Sequence, residues 1–408
     1  MSDKKHGNKR TVLLLILSLV LIAEATAIVL LHRRPEQTLQ KPAEQSVETQ
    51  EETAQTEPVQ EPEPVPDALR AILEQMTPRD KICQMLFAAP SDITGVAKVI
   101  RAGESTRKAL EKYPVGGLFY DSSNMQTQRQ LKNMLETSQS YAAIPMLFAC
   151  DEEGGVVNRL MTAVGTTRID SMLKYKDEGV EGAARNAETI ATDMRGCGFN
   201  MDFAPVADVW SNPQNKVIGS RAYSTDFAQA AELIPAAVEG FHKGGVACTL
   251  KHFPGHGDTS ADSHYGAVYI DKPLDQLRSE EFLPFRAGIE AGADAVMIGH
   301  LIVRELGDEP APFSSYLLTD VLRGELGFEG VIITDSLRMQ ALKDHYTSAE
   351  IAVNAVKAGV DMLLCPTNVD AAIEALENAV AQGEIPESRL DESVLRILRL
   401  KQSIGLLP

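Results

Sequence analysis

The chain has 408 residues, 44% of them hydrophobic, and a formal net charge of -18 at pH 7. A negative charge of this size argues against nucleic acid and anionic lipid surfaces as partners. The five cysteines show no close pair spacing, so we expect small buried side chains rather than a disulfide framework.

The N-terminus predicts a membrane anchor. Residues 1–10 carry four lysines and arginines, and residues 11–31 form an apolar run with one charged residue, Glu24. As a helix this run would span about 30 Å, enough to cross a bilayer. Positive charge before the run places residues 1–10 in the cytoplasm and the rest of the chain outside the cell membrane. The alternative is a signal peptide cleaved near Ala25–Ala27, after which the protein is secreted.

Residues 32–66 are predicted to be a disordered linker. The stretch Pro35–Pro66 contains six prolines, eight glutamates, one lysine and no aromatic residue. Such a composition cannot bury a hydrophobic core and stays extended and solvated. The remaining residues, 67–408, are long enough for one large domain.

Within 67–408, short apolar runs bounded by glycine, proline or polar turns predict eight strands. They are Met85–Ala89, Gly116–Tyr120, Pro145–Ala149, Met201–Pro205, Val246–Leu250, Ala295–Gly299, Val331–Thr334 and Asp361–Cys365. Segments with helical periodicity lie between them, among them Gln128–Tyr141, Ala183–Arg195, Phe227–His242, Glu280–Ala291 and Ile351–Lys357. Alternating strands and helices predict an α/β fold, and eight repeats predict a single (β/α)8 TIM barrel.

The strand Val246–Leu250 leads into the most informative segment, Lys251–His264, with the sequence KHFPGHGDTSADSH. Lys251 and His252 stand where a strand ends and a loop begins, a usual place for catalytic groups in parallel α/β proteins. The short spacing of Asp262 and His264 allows the carboxylate to orient the imidazole as an acid/base pair.

Two other interpretations of this loop remain open. The histidines and aspartates can satisfy backbone groups of the loop, or His252, His256, Asp262 and His264 can bind a metal ion. The spacing matches no zinc pattern with a known mechanical basis, so we expect no metal.

A second candidate group follows the strand Val331–Thr334. This β-branched run leads into Asp335. A carboxylate at a strand end can serve as a nucleophile, whereas the structural alternative is an N-cap for the following helix.

The segment Lys251–His264 resembles the defining motif of the β-N-acetylhexosaminidases of glycoside hydrolase family 3. The resemblance implies that His264 is the acid/base, that Asp262 is its partner, and that Lys251 and His252 bind the sugar. The segment ending in Asp335 resembles the nucleophile segment of the family.

Two further segments are similar to the same family. Cys150–Gly155 resembles an Asp-x-Glu-Gly-Gly turn, which makes Asp151 a substrate-binding residue, and Ile218–Arg221 resembles a loop whose arginine binds the same sugar. The alternative for each is a surface turn or a salt bridge. Val156 stands where the family often has arginine, so the chain departs from the family pattern at an outer substrate contact.

The resemblance implies a retaining exo-β-N-acetylglucosaminidase that acts on terminal β-linked N-acetylglucosamine of cell-wall glycan, muropeptides or chitin fragments. It implies no cofactor, and we expect a monomeric barrel. A phosphorylase is the nearest alternative, because a neutral histidine does not repel phosphate as a carboxylate would. A metal-dependent hydrolase and a non-catalytic glycan-binding module are the others, although the second conflicts with the presence of both Asp335 and His264.

Overall fold

The computed structural model describes residues 66–260 and 266–408. The predicted anchor at 11–31, nearly all of the predicted linker, and the pair Asp262 and His264 lie outside the described residues. Across the two described ranges, no helix has both the length and the hydropathy required to cross a membrane.

The strands of the described residues are short and largely buried. They are β1 (Leu86–Ala88), β2 (Gly117–Phe119), β3 (Leu147–Cys150), β4 (Met201–Asp202), β5 (Thr249–Phe253), β6 (Val268–Ile270), β7 (Ala295–Ile298), β8 (Leu301–Val303), β9 (Val331–Thr334) and β10 (Leu363–Leu364). All eight predicted strands are confirmed, with ends shifted by a few residues. The strands β6 and β8 were not predicted, and they pair with each other in parallel.

The eight predicted strands form two parallel sheets. One has the order β10-β1-β2-β3-β4, and the other has the order β5-β7-β9. Isolated parallel bridges join Met201 to Ala247 and Ile333 to Met362. The backbone N–H of Asp202 donates to the carbonyl of Ala247 at 2.8 Å. Neighbouring edges of the two sheets are therefore linked by hydrogen bonds, and the fold is α/β with parallel sheets.

Helices follow most of the strands. They are α1 (Asp67–Glu74), α2 (Pro78–Gln84), α3 (Pro90–Thr94), α4 (Glu104–Lys112), α5 (Gln128–Ser140), α6 (Leu160–Val164), α7 (Gly179–Cys197), α8 (Phe227–Gly244), α9 (Leu274–Ser279), α10 (Phe282–Glu290), α11 (Gln340–Lys343), α12 (Ser348–Ala358), α13 (Val369–Ala381) and α14 (Glu387–Ser403), together with a π-helix, Tyr316–Glu325. The five predicted helices are confirmed as α5, α7, α8, α10 and α12.

The long helices α7 and α8 pack closely because of small residues on their facing surfaces. A Cβ added at Gly240 would lie 2.4 Å from the carbonyl oxygen of Ala184, and one at Gly244 would lie 2.4 Å from the Cβ of Ala191. Asp226 caps α8 by accepting a hydrogen bond from the N–H of Gln229 at 2.8 Å. This pair of helices delivers the chain to β5 and thus fixes where Lys251 and His252 lie.

The five cysteines are all free and buried. Each lies in or next to a strand or helix of the apolar core. The prediction of small buried side chains without a disulfide framework is confirmed.

Candidate active site

A cavity of about 230 Å³ lies at the carboxyl ends of β3, β5 and β9. It is lined by every predicted site residue that the structure describes: Asp151, Arg221, Lys251, His252 and Asp335. Because the carboxyl ends of parallel strands meet at the same edge, residues far apart in the sequence converge there.

A buried ionic cluster forms one wall of the cavity. The Nζ of Lys251 lies 2.8 Å from Oδ1 of Asp151 and 2.6 Å from Oε1 of Glu153. The guanidinium of Arg221 donates to both carboxylate oxygens of Glu153, at 2.8 Å each. Arg221 also donates to the carbonyl of Val217 at 2.9 Å. The alternative of a salt bridge for Arg221 is therefore correct in part, but the pair is buried at the cavity rather than on the surface.

The charges in this cluster stabilise one another. Burial alone would raise the pKa of the Glu153 carboxyl, but the cations of Arg221 and Lys251 hold it well below its usual range. Burial alone would lower the pKa of the Lys251 ammonium, but Asp151 and Glu153 raise it. The cluster therefore remains charged at neutral pH, with fixed donors and acceptors facing the cavity.

The buried carboxylate of Asp208 binds both His252 and His256. The Nδ1 of His252 lies 2.6 Å from Oδ2 of Asp208, and the backbone N–H of His256 donates to the other oxygen of Asp208 at 2.6 Å. Burial alone would raise the pKa of Asp208, but His252 and His256 lower it. One carboxylate thus fixes both the ring of His252 and the path of the loop that follows β5.

Asp335 lies directly after β9, with its backbone N–H bound to the carbonyl of Ile298 at 2.9 Å. Its Oδ1 accepts a hydrogen bond from the N–H of Ser336 at 2.6 Å. Burial alone would raise the pKa of this carboxyl, but His252, His300 and the Ser336 N–H hold it below its ordinary value. The N-cap of α11 is Met339, so Asp335 does not fill the alternative role of helix cap. The carboxylate is ionised and faces the cavity.

The turn after β3 is stabilised by Glu152, the middle one of its three consecutive acidic residues. Glu152 accepts hydrogen bonds from the N–H groups of Arg159, Leu160 and Met161 at 2.5, 2.7 and 3.2 Å. These N–H groups stand at the start of α6, so Glu152 stabilises the N-terminus of this helix. Its neighbours Asp151 and Glu153 line the cavity, and Glu152 does not. Val156 is 72% exposed and does not line the cavity.

The sequence predictions omitted Glu153 and Arg159, which line the cavity, and Asp208, which lies behind His252. His256 also lines the cavity, and the sequence named it only as a possible metal ligand. Glu153 carried a signal, because it stands two residues after Asp151 in the same motif. Asp208 follows an apolar run in the same way as Asp335 does, although at a greater distance from its strand.

Two of the four candidate metal ligands, Asp262 and His264, lie outside the described residues, so the metal interpretation of the loop after β5 stays a hypothesis. Among the described residues, one group of three potential ligands comes together, namely His242, Cys248 and Asp294. It lies at the start of β5 and β7, away from the cavity, and includes neither His252 nor His256. A hydrogen bond of 2.8 Å between His242 and Asp294 accounts for its geometry.

Residues 77–400 match the sequence profile of the glycosyl hydrolase family 3 N-terminal domain. The chain belongs to glycosyl hydrolase family 3. A β-hexosaminidase of Idiomarina loihiensis is 34% identical over 305 residues, which cover 74% of this chain and 90% of the relative.

A longer relative, β-hexosaminidase A of Pseudoalteromonas piscicida, is 32% identical over 325 residues. The match covers 72% of this chain but 54% of that protein, so the chain spans about half of its length. A solved family 3 β-N-acetylglucosaminidase from Paenibacillus sp. is 38% identical with a TM-score of 0.76, over 81% of this chain and 63% of that one. The resemblance to family 3 β-N-acetylhexosaminidases and the prediction of a glycoside hydrolase are confirmed.

Proposed function

We propose that this protein is a retaining exo-β-N-acetylglucosaminidase. The observation that carries the proposal is an ionised carboxylate, Asp335, in a cavity that is also lined by a fixed cluster of charged hydrogen-bonding groups. Such a cavity suits a single sugar ring, because carboxylates accept from its hydroxyls while lysine and arginine donate to them. The names of the relatives, β-hexosaminidase and β-N-acetylglucosaminidase, support N-acetylglucosamine as that sugar.

We infer that the two parallel sheets close into one (β/α)8 barrel over residues 67–408. The parallel bridges at both pairs of sheet edges support closure, since together with β1–β5, β7, β9 and β10 they give a ring of eight strands. In such a barrel the active site lies at the carboxyl ends of the strands.

Each residue of the cavity has a role in this proposal. Asp151 accepts from hydroxyls of the terminal sugar, since its side chain is 20% exposed while its partner Lys251 holds it in place. Lys251, His252 and Arg221 donate to oxygens of the same ring. Glu153 keeps Lys251 and Arg221 in position through its ion pairs with both.

The reaction has two steps in this proposal. Asp335 attacks C1 of the sugar while His264 gives a proton to the departing glycosidic oxygen, and a glycosyl-enzyme ester forms. His264, oriented by Asp262, then takes a proton from water as the water oxygen attacks C1. The ester bond to Asp335 breaks, and the sugar leaves in the β configuration. No metal or cofactor enters this scheme.

We further propose that residues 11–31 anchor the chain in the cell membrane and that residues 32–66 hold the enzyme outside it. An extended linker of this length reaches roughly 100 Å. Cell-wall glycan or muropeptides are substrates at that distance. Protease treatment of intact cells should release the domain if it is anchored outside, whereas protection from the protease would contradict this placement.

The function is tested by release of nitrophenol from 4-nitrophenyl N-acetyl-β-glucosaminide. Wild type should turn over in the presence of EDTA, and Asp335→Asn should lose at least about a thousandfold in kcat. Asp344→Asn, at an exposed aspartate, is the matched control and should retain full activity. Proton NMR should show the β anomer first; the α anomer first would refute retention. A sugar 1-phosphate formed with added phosphate would assign the phosphorylase, and no turnover by folded wild type would favour the glycan-binding module.

A further inference from the structure

His256 is a cavity-lining histidine with one unused ring nitrogen. The residue is 3% exposed, yet its ring borders the same cavity as Asp335 and His252. Within the described residues, its Nε2 is buried and has no hydrogen-bond partner. Buried polar atoms are nearly always paired, and this one borders the substrate cavity, so a polar group of a bound substrate can supply its partner.

The ring is held in place from its other side. Nδ1 lies 2.7 Å from the hydroxyl oxygen of Thr259, and the carbonyl of His256 accepts from the side-chain amide of Asn215 at 2.7 Å. The following residue, Gly257, packs against the carbonyl of Val209, where an added Cβ would lie 1.7 Å from the oxygen. These contacts hold the described part of the loop, and with it the imidazole ring, in place.

The ring also stands among the proposed catalytic groups. Its centroid lies 6.1 Å from that of His252, with the two rings nearly perpendicular. Burial, which outweighs the attraction of Asp208 and Asp335, lowers the pKa of His256. The imidazole is therefore neutral near pH 7 and offers a directional hydrogen bond without adding charge to the cavity.

We propose that Nε2 of His256 hydrogen-bonds to one ring hydroxyl of the sugar in the cavity, which makes His256 a specificity residue for the substrate. This inference rests on the proposed function. A hydroxyl group both donates and accepts, so it matches Nε2 in either tautomer of the neutral ring. A sugar that lacks this hydroxyl would leave Nε2 buried and unpaired, and the cavity should therefore discriminate against it.

The test pairs two variants with a set of substrates. His256→Asn keeps an amide near the position of Nδ1, within reach of Thr259, but removes the nitrogen at the ε position. His256→Gln restores a polar atom at the ε position, and His345→Asn, at an exposed histidine, is the control. The substrates are 4-nitrophenyl N-acetyl-β-glucosaminide and its 3-deoxy, 4-deoxy and 6-deoxy derivatives.

For wild type, we expect one deoxy substrate to lose about tenfold or more in kcat/KM through the missing contact. His256→Asn should lose a similar factor on the parent sugar and show no further loss on that one deoxy sugar. His256→Gln should recover part of the parent activity, and His345→Asn should match wild type. Circular dichroism and thermal unfolding confirm that each variant is folded.

The assignment would be overturned if the loss caused by His256→Asn and the loss caused by the missing hydroxyl were additive for all three deoxy sugars. An activity of His256→Asn equal to that of wild type would overturn it as well. Neither result would contradict the glycosidase function. Activity that EDTA abolishes and zinc restores, with zinc binding lost in His256→Asn, would overturn it in favour of a metal ligand. Absence of turnover by wild type on the parent glycoside would instead refute the proposed function, and the two failures are therefore distinguishable.

Discussion

Glu153 should be the largest single contributor to the stability of the active-site wall. Its carboxylate accepts two hydrogen bonds from Arg221 at 2.8 Å and one contact from Lys251 at 2.6 Å, and its side chain is 2% exposed. Glu153→Gln leaves one acceptor oxygen and turns an amide donor toward these cations. Removing one partner of a buried ion pair costs about 3–5 kcal/mol, which agrees with the loss of about two charged hydrogen bonds at roughly 1.5–3 kcal/mol each.

The assay is thermal and urea unfolding of wild type and variant. An unfolding entropy of about 2.1 cal/mol/K per residue converts this loss, over the domain, into a Tm lower by about 4–7 °C. The pKa of Glu153 is lowered from 4.5, so its stabilisation is complete above pH 4.5 and declines as the pH falls below that value. Glutamine does not titrate, and the difference between the two proteins should therefore shrink below pH 4.5.

Glu232→Gln is the matched control, because Glu232 is an exposed glutamate on α8. It should change the free energy of unfolding by less than about 0.5 kcal/mol. A Glu153→Gln variant that unfolds like this control, or whose deficit does not depend on pH in the acid range, would refute the role assigned to Glu153.

Three other predictions follow from buried titratable groups. Asp208→Asn removes the carboxylate that orients His252, and kcat/KM should fall by about 10–100-fold while the protein remains folded. Unchanged kinetics would show that other contacts orient His252. Burial lowers the pKa of Lys401 from 10.5 to about 7, so its charged form destabilises the fold fully below pH 7 and less as the pH rises toward 10.5. Lys401→Met should therefore raise the free energy of unfolding by about 2–5 kcal/mol at pH 6, and this gain should decline at alkaline pH. A variant that is less stable than wild type at every pH would show that the hydrogen bond from Lys401 to Gln84 outweighs the cost of burying the charge. The five buried cysteines should not react with Ellman's reagent in the native protein and should all react in urea, and native reactivity would contradict their burial.

The sequence by itself determined the family and predicted several of the residues that line the cavity. The motif at Lys251–His264, the strand leading to Asp335 and the turn at Asp151 each combine an apolar strand with polar residues at its carboxyl end. Local patterns of this kind are properties of consecutive residues, so they can be recognised without a fold. The eight strands and five helices were predictable for the same reason, because hydrophobic periodicity reflects which face of each element is buried.

Only the tertiary structure decided how residues from different strands combine. Glu153 becomes the centre of a charged cluster because β5 brings Lys251 to it and the loop before α8 brings Arg221, from 68 positions away in sequence. The burial of Nε2 of His256 without a partner among the described residues, and the placement of Asp208 behind His252, are likewise properties of packing between loops. Spacing along the chain carries no information on such contacts, because their partners are set by the register of the parallel strands and by the close approach of the loops that follow them.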